Sequence, residues 1–441
     1  MKKVLFIILM IMCPVAFAGC SKEEQGEHIS KTTPTTDASP MWEDYRQGNA
    51  SAERDGYFMQ TEQGYYYYSK SRKGFRYYDI TTGTDMFLCN KPECKHDGNA
   101  FCVATNADYV VLNACLYNKQ MYVYVMDETD TQYCLKVLSL ALDGSGMNEV
   151  ATVLELEKTG QELEFKGEEF CIHRNKIMIA LNISGKDGVK GNEFYGTLLL
   201  DLDTKNLTYM DETPVSKENL EVKEIHAYGD YFYYCKKVNK RKELHRYNIM
   251  TGIDETHNLA TGFRERYAIL GDNTIAYLRG DNKAICFYRY DTGETIECTD
   301  FIYDTFTVDS NGELQQDEGR VIPESMRGDG DYVYAIDLSM IRSHSNKFGV
   351  EKERRESLVI AYGADGKKIA AVNLAVAIDE AVPEGVTLEY WFYWKGIRFL
   401  GEEIYMELPE KENLDRTYVF RCKRSDLLAG NPKFEFVFVM E

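Results

Sequence analysis

The sequence predicts an all-β chain: a seven-bladed β-propeller of four-stranded antiparallel blades. Three observations predict it. From about Gly56 onward Tyr, Phe, Val and Ile alternate with polar residues in short runs, with hardly a helical period among them. Gly, Asp and Asn punctuate those runs. One two-part theme then returns seven times at a spacing of roughly 40–70 residues, which points to repeated blades. A sandwich needs no seven copies of one unit, and a solenoid keeps a tighter period.

The first part of the theme is a polar turn followed by a strand. It reads Gly64 before Tyr65–Tyr68, Lys119 before Met121–Val125, Lys176 before Ile177–Leu181 and Asp230 before Tyr231–Tyr234. It continues with Asp272 before Thr274–Leu278, Asp331 before Tyr332–Ile336 and Glu402 before Ile404–Leu408. The second part is a strand ending in an Asp- or Gly-marked turn, as in Tyr78-Asp79-Ile80-Thr81-Thr82-Gly83 and Tyr247-Asn248-Ile249-Met250-Thr251-Gly252. Gly and Asn tolerate positive φ, which suits tight hairpins. The seventh copy, Tyr418–Lys423, lacks the glycine turn and runs into Ser425–Pro432. Blades are expected at 56–89, 106–153, 168–211, 223–259, 264–301, 326–375 and 388–440. Phe434–Val439 is then the outer strand of the last blade; strand exchange between the termini is the alternative closure.

Taken in order, the chain opens on a processing signal over residues 1–20. Lys2 and Lys3 form its charged start, Val4–Val15 its apolar run, and Phe17-Ala18-Gly19-Cys20 a small-residue cleavage site. The run is shorter than the ~20 residues that span a bilayer. This arrangement resembles a bacterial lipoprotein signal, which implies lipidation of Cys20; an ordinary secretory signal is the blander reading. Residues 21–55 are rich in Ser, Thr, Glu and Pro at their start and read as a disordered tether. The propeller occupies 56–441.

The whole chain carries 51 basic and 71 acidic residues, a net charge of −20. Loss of Lys2 and Lys3 with the signal leaves 49 basic residues against the same 71, or −22. Such an excess argues against nucleic acid or anionic lipid as an electrostatic partner. The membrane contact implied is the N-terminal lipid.

One stretch holds metal-ligand chemistry: Leu88–Cys102, LCNKPECKHDGNAFC, between the first two blades. Its spacing is Cys89-x4-Cys94-x-His96-x5-Cys102. Three sulfurs and an imidazole can form the tetrahedral set that structural Zn²⁺ takes, and a closed set leaves no position for water. Pro92 and Gly98 would help the loop curl, and Lys91 and Lys95 would offset thiolate charge. A disulfide, Cys89–Cys102 or Cys94–Cys102, is the competing reading for an exported chain. The remaining cysteines fall mostly within apolar strands and read as small buried hydrophobes.

Leu88-Cys89-Asn90-Lys91-Pro92-Glu93-Cys94-Lys95-His96-Asp97, following a Tyr-Asp…Thr-Gly strand pair and a lipoprotein-type signal, resembles a group of largely uncharacterised surface lipoproteins of clostridial-type bacteria. The resemblance implies a propeller on the outer face of the bacterial cytoplasmic membrane. It implies no activity, because the group carries none agreed.

Loops between blades, and between the second and third strands of each blade, gather on one face of a propeller, near the channel mouth. Leu88–Cys102, Ser184–Tyr195, Ser339–Glu356 and Pro409–Arg416 are expected there. Lys352, Arg354 and Arg355, with Lys347, form a basic stretch in one of these loops, and long loops on a rigid scaffold often carry function. Trp391 and Trp394, before the last blade's inner strand, are candidate sugar-stacking residues. Tyr65–Tyr68 and Tyr231–Tyr234 lie inside strands and read as packing.

No catalytic residue is assigned. The chain has no Gly-x-Ser-x-Gly elbow, no phosphate-cradling glycine loop and no His-Glu-x-x-His helix. Asp309–Glu313 reads as a turn, and His173, His226, His245, His257 and His344 as isolated structural residues. The leading expectation is a lipid-anchored, non-catalytic module for a protein or glycan. The alternative is a carbohydrate-active enzyme, marked by close buried carboxylates at the channel.

Overall fold

The computed structural model describes residues 58–441 apart from 70, 99–101, 106–108, 159–161, 167–168, 186–193, 211–219, 239–240, 258–262, 272, 282–283, 300–301, 309–313, 321–324, 338–357, 389–396 and 401. The chain is a seven-bladed β-propeller, each blade a four-stranded antiparallel meander.

Blade 1 comprises β1 (Phe58–Gln60), β2 (Gly64–Ser69), β3 (Gly74–Asp79) and β4 (Thr84–Phe87). Blade 2 has the longest strands, β5 (Tyr109–Tyr117), β6 (Gln120–Glu128), β7 (Gln132–Ala141) and β8 (Met147–Glu157). A short β9 (Leu163–Lys166) precedes blade 3 and pairs with its second strand. Blade 3 itself is β10 (Phe170–His173), β11 (Lys176–Gly185), β12 (Phe194–Asp201) and β13 (Leu207–Tyr209). Blade 4 is β14 (Leu220–Tyr228), β15 (Tyr231–Val238), β16 (Arg241–Asn248) and β17 (Asp254–His257).

Blade 5 follows as β18 (Phe263–Leu270), β19 (Thr274–Arg279), β20 (Ile285–Arg289) and β21 (Thr295–Cys298). A hairpin, β22 (Ile302–Val308) with β23 (Leu314–Arg320), stands between blades 5 and 6. Blade 6 is β24 (Ser325–Gly328), β25 (Val333–Asp337), β26 (Leu358–Tyr362) and β27 (Lys368–Asn373), followed by the short helix α1 (Leu374–Asp379). Blade 7 is β28 (Ile397–Leu400), β29 (Glu403–Pro409), β30 (Thr417–Lys423) and β31 (Glu435–Met440). The five-residue α2 (Arg424–Leu428) sits where the last blade lacks its glycine turn, and buries Leu427. Among the described residues no helix is long and apolar enough to cross a membrane.

The first strands of successive blades approach one another, β5 with β10, β10 with β14, β14 with β18 and β18 with β24. They therefore line the inside of the ring, and the fourth strands form its rim. The turn chemistry is local. Asp79 and Asn248 each accept a backbone N–H two residues on, 2.7 Å from Thr81 and 2.9 Å from Met250. Gly252, at φ +72°, then makes the reversal that a side chain would strain.

The core is divided among the seams between blades. The described buried residues form seven apolar clusters, and each joins one pair of neighbouring blades. This accounts for the tyrosine runs. Tyr66 packs toward blade 2, while Tyr65 and Tyr67 pack toward blade 7. A strand buried on both faces reads as continuous aromatic sequence rather than strict alternation. Tyr65, Tyr66 and Tyr67 are almost wholly buried, as are Tyr233 and Tyr234, so these runs are packing.

The seventh cluster closes the ring without strand exchange. β31 pairs with β30 of its own blade. Phe438 stacks on Tyr78 with ring centroids 4.4 Å apart and on Tyr65 at 5.3 Å. The Tyr65 and Tyr405 hydroxyls meet at 3.2 Å across the same seam. Aromatic faces do here what a shared sheet does in a ring closed by exchange.

Candidate metal centre and the ring axis

The Leu88–Cys102 loop leaves β4 and is pinned at both ends. Leu88 N donates to Phe75 O at 2.9 Å, and Phe75 N donates to Ala104 O at 2.9 Å. The loop thus folds back on β3 of its own blade. Within it Cys94 N donates to Lys91 O at 3.1 Å, closing a turn over Pro92. His96 takes the left-handed conformation at φ +53°, and its ring stacks on Phe87 at 4.7 Å. Such a backbone costs about 1 kcal/mol for a residue other than glycine. It turns the imidazole back toward the sulfurs.

The result is one compact donor set. Single ligand atoms of Cys89, Cys94, His96 and Cys102 all lie within 4.8 Å of one another, and they are the one such group of His, Cys, Asp or Glu among the described residues. Cys102 Sγ is 3.5 Å from His96 Nδ1. Zn–S near 2.3 Å and Zn–N near 2.0 Å in a tetrahedron put ligand atoms roughly 3.5–3.8 Å apart. The set therefore fits a tetrahedral metal with small adjustment and could hold an ion such as zinc. All ten described cysteines carry free thiols, these three included.

Electrostatics divide the thiols. Burial, helped by the neighbouring Cys102 and Cys89 thiols, pushes Cys94 up to about 11. Burial also acts against ionisation of Cys102, but the Thr105 hydroxyl and His96 outweigh it and bring that thiol down to about 7. Cys89 and Cys102 are buried, whereas Cys94 and His96 are partly exposed.

The position of this set corrects the sequence-based expectation. It was to lie beside the channel mouth with the other interblade loops. Its contacts are instead with β3, β4 and the turn between β7 and β8, the outer strands of blades 1 and 2. Asn90 N reaches Gly144 O in that turn at 3.4 Å. A Cβ on Gly144 would fall 2.7 Å from Cys89 N, so only glycine allows this approach. The described residues 88–98 and 102–105 thus wedge the seam against the outer strands of blades 1 and 2.

Cys20, Trp391, Trp394, Lys352, Arg354 and Arg355 lie outside the described residues, as do Lys347, His344 and the 309–313 turn. Besides His96, four histidines are described, and each is held in a seam or blade. His173 Nε2 donates to Gly229 O at 2.7 Å between blades 3 and 4. His245 Nδ1 and the Tyr234 hydroxyl both donate to Asp254 Oδ2, at 2.9 and 2.8 Å. Arg76 and Tyr67 hold Asp85 in the same way in blade 1. A tyrosine on strand two, a base on strand three and an acid on strand four thus tie a blade together. Burial opposes ionisation of Asp254, yet His245 keeps its carboxyl below the usual range.

The ring interior holds a charged group that sequence reasoning missed. Glu224, on β14 at φ +54°, sits at a β-bulge. Its Oε2 is 3.4 Å from His226 Nε2 and 3.9 Å from Arg327 Nη1, which reaches over from β24 of blade 6. Glu169 Oε2 accepts the adjacent Ile225 N–H at 2.9 Å, and the Tyr267 hydroxyl donates to the Glu224 carbonyl. Arg398 on β28 pairs with Glu407. No motif marks these residues, because Glu169, the Glu224–His226 stretch, Tyr267, Arg327 and Arg398 come from different parts of the chain and only the inward turn of the first strands assembles them.

No protein family and no curated relative matches the chain. Solved structures similar in fold include Kluyveromyces lactis Hsv2, at 10% identity and TM-score 0.40, covering 86% of this chain and 96% of that one. A dipeptidyl peptidase 4 from Porphyromonas gingivalis gives 10% and 0.40, with 89% of this chain covering 60% of that one. An oligogalacturonate lyase in complex with manganese gives 9% and 0.39, over 64% and 73% of the two chains.

Proposed function

We propose that the chain is a lipid-anchored binding propeller on the outer face of the bacterial cytoplasmic membrane, stapled at one seam by structural zinc. Cys20 carries the lipid, residues 21–55 act as the tether, and a protein or glycan ligand is taken on the face bearing the loops between second and third strands. The observation that carries this reading is the position of the soft donor set, against outer strands and away from the ring axis. The soft donor set is closed by four ligands and sits at the rim, which suits holding a loop in place and not polarising a substrate. Cys89, Cys94, His96 and Cys102 would hold the ion, whose contribution is folding free energy for the wedge. Lys352, Arg354 and Arg355, with Trp391 and Trp394, are the ligand contacts of this reading, and all five lie outside the described residues.

A second reading, a carbohydrate-active enzyme, draws support from the axial group. Glu169 accepts the N–H of Ile225, the residue after Glu224, and the Glu224 carboxylate has His226 and Arg327 beside it. Paired carboxylates are what glycoside chemistry requires.

Both readings are tested together by a glycan-array screen of the full chain with parallel product detection. Retention without product supports the binder, whereas turnover of any glycan overturns it. Lipidation is tested by mass spectrometry of the peptide beginning at Cys20, and Cys20→Ala should release the protein to the medium. Zinc is tested by elemental analysis of protein purified without oxygen; one ion per chain is expected, and absence of zinc ends that part of the reading.

A further inference from the structure

We propose that the rim cluster is a site of reversible oxidative modification, in which a peroxide converts Cys94 and Cys102 to a disulfide and expels the metal. The inference deepens the zinc reading above and rests on it for the ion.

Geometry selects the pair. The Cys94 Sγ lies within 4.8 Å of the Cys102 and Cys89 sulfurs. Cys94 is partly exposed, so an oxidant in solvent can reach it. Cys89 and Cys102 are both buried, and the close approach of Gly144 braces Cys89, which leaves it the less free of the two to move. Cys94 follows a turn over Pro92 and precedes His96 and Gly98, both at positive φ. That segment can shift its sulfur the remaining distance. The other seven described thiols, Cys115, Cys134, Cys171, Cys235, Cys286, Cys298 and Cys422, are all buried, so limited oxidant meets this loop first.

The chemistry balances without a further reactant. The Cys94 sulfur, deprotonated as a metal ligand must be, attacks one peroxide oxygen, the O–O bond breaks, and hydroxide leaves to be protonated to water. The Cys94 sulfur is then a sulfenic acid. The Cys102 thiolate attacks that sulfur, the S–O bond breaks, and the second oxygen departs as water after taking a proton. Two electrons pass from the two thiolates to one hydrogen peroxide, with two protons consumed and one S–S bond made. Cys89 and His96 remain, and two donors do not complete the set of four that structural zinc takes. The exchange is reversed by a dithiol, which takes up the oxidation as its own disulfide.

The consequence follows from where the wedge lies. Loss of the ion frees residues 91–98 while Cys89 stays against blade 2, so the change is confined to the rim and the ring remains closed through its other seams. Lys95, exposed and next to His96, should then become open to trypsin.

The test uses the full chain purified without oxygen and assayed for zinc beforehand. Hydrogen peroxide is added in steps while released zinc is read with a chromophoric chelator, and peptides are mapped by mass spectrometry. The expected result is one zinc released and two thiols lost per chain, a Cys94–Cys102 crosslink, at least tenfold faster cleavage after Lys95, and recovery with dithiothreitol and zinc. Cys94→Ser should abolish the crosslink, and Cys134→Ser should leave release unchanged. Retention of zinc by wild type after several equivalents of peroxide overturns the proposal, as does release with Cys94 unmodified or with a crosslink elsewhere. A chain that carries no zinc before oxidation but still forms the Cys94–Cys102 bond would sink the zinc reading and leave the modification site standing.

Discussion

Phe438→Ala tests how the ring closes. Phe438 is 3% exposed and fills the seam between the last blade and the first. It stacks on Tyr78 at 4.4 Å and an interplanar angle of 12°, and on Tyr65 at 5.3 Å and 10°. Truncating a buried phenylalanine to alanine costs about 3–5 kcal/mol, with the lost aromatic pairs included in that figure. Unfolding entropy of about 2.1 cal/mol/K per residue over about 385 residues gives about 0.8 kcal/mol/K, so the melting temperature should fall about 4–6 °C. Phe438→Leu keeps most of the volume and should cost under about 1.5 kcal/mol, or about 2 °C. Circular dichroism melts of the three proteins provide the comparison. A fall of less than 1 °C for the alanine variant would refute closure by this aromatic seam, because a side chain at a closed interface cannot be removed so cheaply.

Three further substitutions probe the rim and an ion pair. Gly144→Ala places a methyl 2.7 Å from Cys89 N at φ +67°, so it should destabilise by more than about 1 kcal/mol and lower zinc retention on dialysis. Gly146→Ala, whose Cβ meets nothing within 4 Å, should stay within about 0.5 kcal/mol; equal behaviour of the two would contradict the wedge. Lys176 holds Asp201 down to about 2 from its ordinary 3.8. The folded pKa is the lower one, so the stability this pair contributes is present above about pH 4 and is lost as pH falls toward 2. Both side chains are about a quarter exposed, which limits the contribution to below about 1 kcal/mol. Lys176→Met should flatten the stability profile in that window and nowhere else; an unchanged acid limb in denaturant titrations would count against it.

Much of the ring was legible from residue patterns. Turn chemistry is local, so Asp79-to-Gly83 and Asn248-to-Gly252 announced their hairpins, and the seven copies located the blades to within a few residues except at the start of the last. The Cys-His loop was equally plain, because its four donors lie close in sequence. The hairpin at Ile302–Arg320 was not foreseen, since a pair of strands outside the repeat gives no period to detect. α2 was missed because five residues are too few to show a helical spacing.

By itself the amino-acid order determined that this chain makes short strands in seven similar groups, and that one loop can gather three sulfurs and an imidazole. Both follow from interactions spanning a few residues. Tertiary structure alone decided that Tyr65 faces the last blade while Tyr66 faces the second, that Phe438 seals the circle, and that the donor loop lies at the rim. It alone brought Arg327 to Glu224 and His226 inside the ring. These outcomes depend on which strand faces meet after the sheets pack radially, and that contact carries no trace in the spacing of residues along the chain.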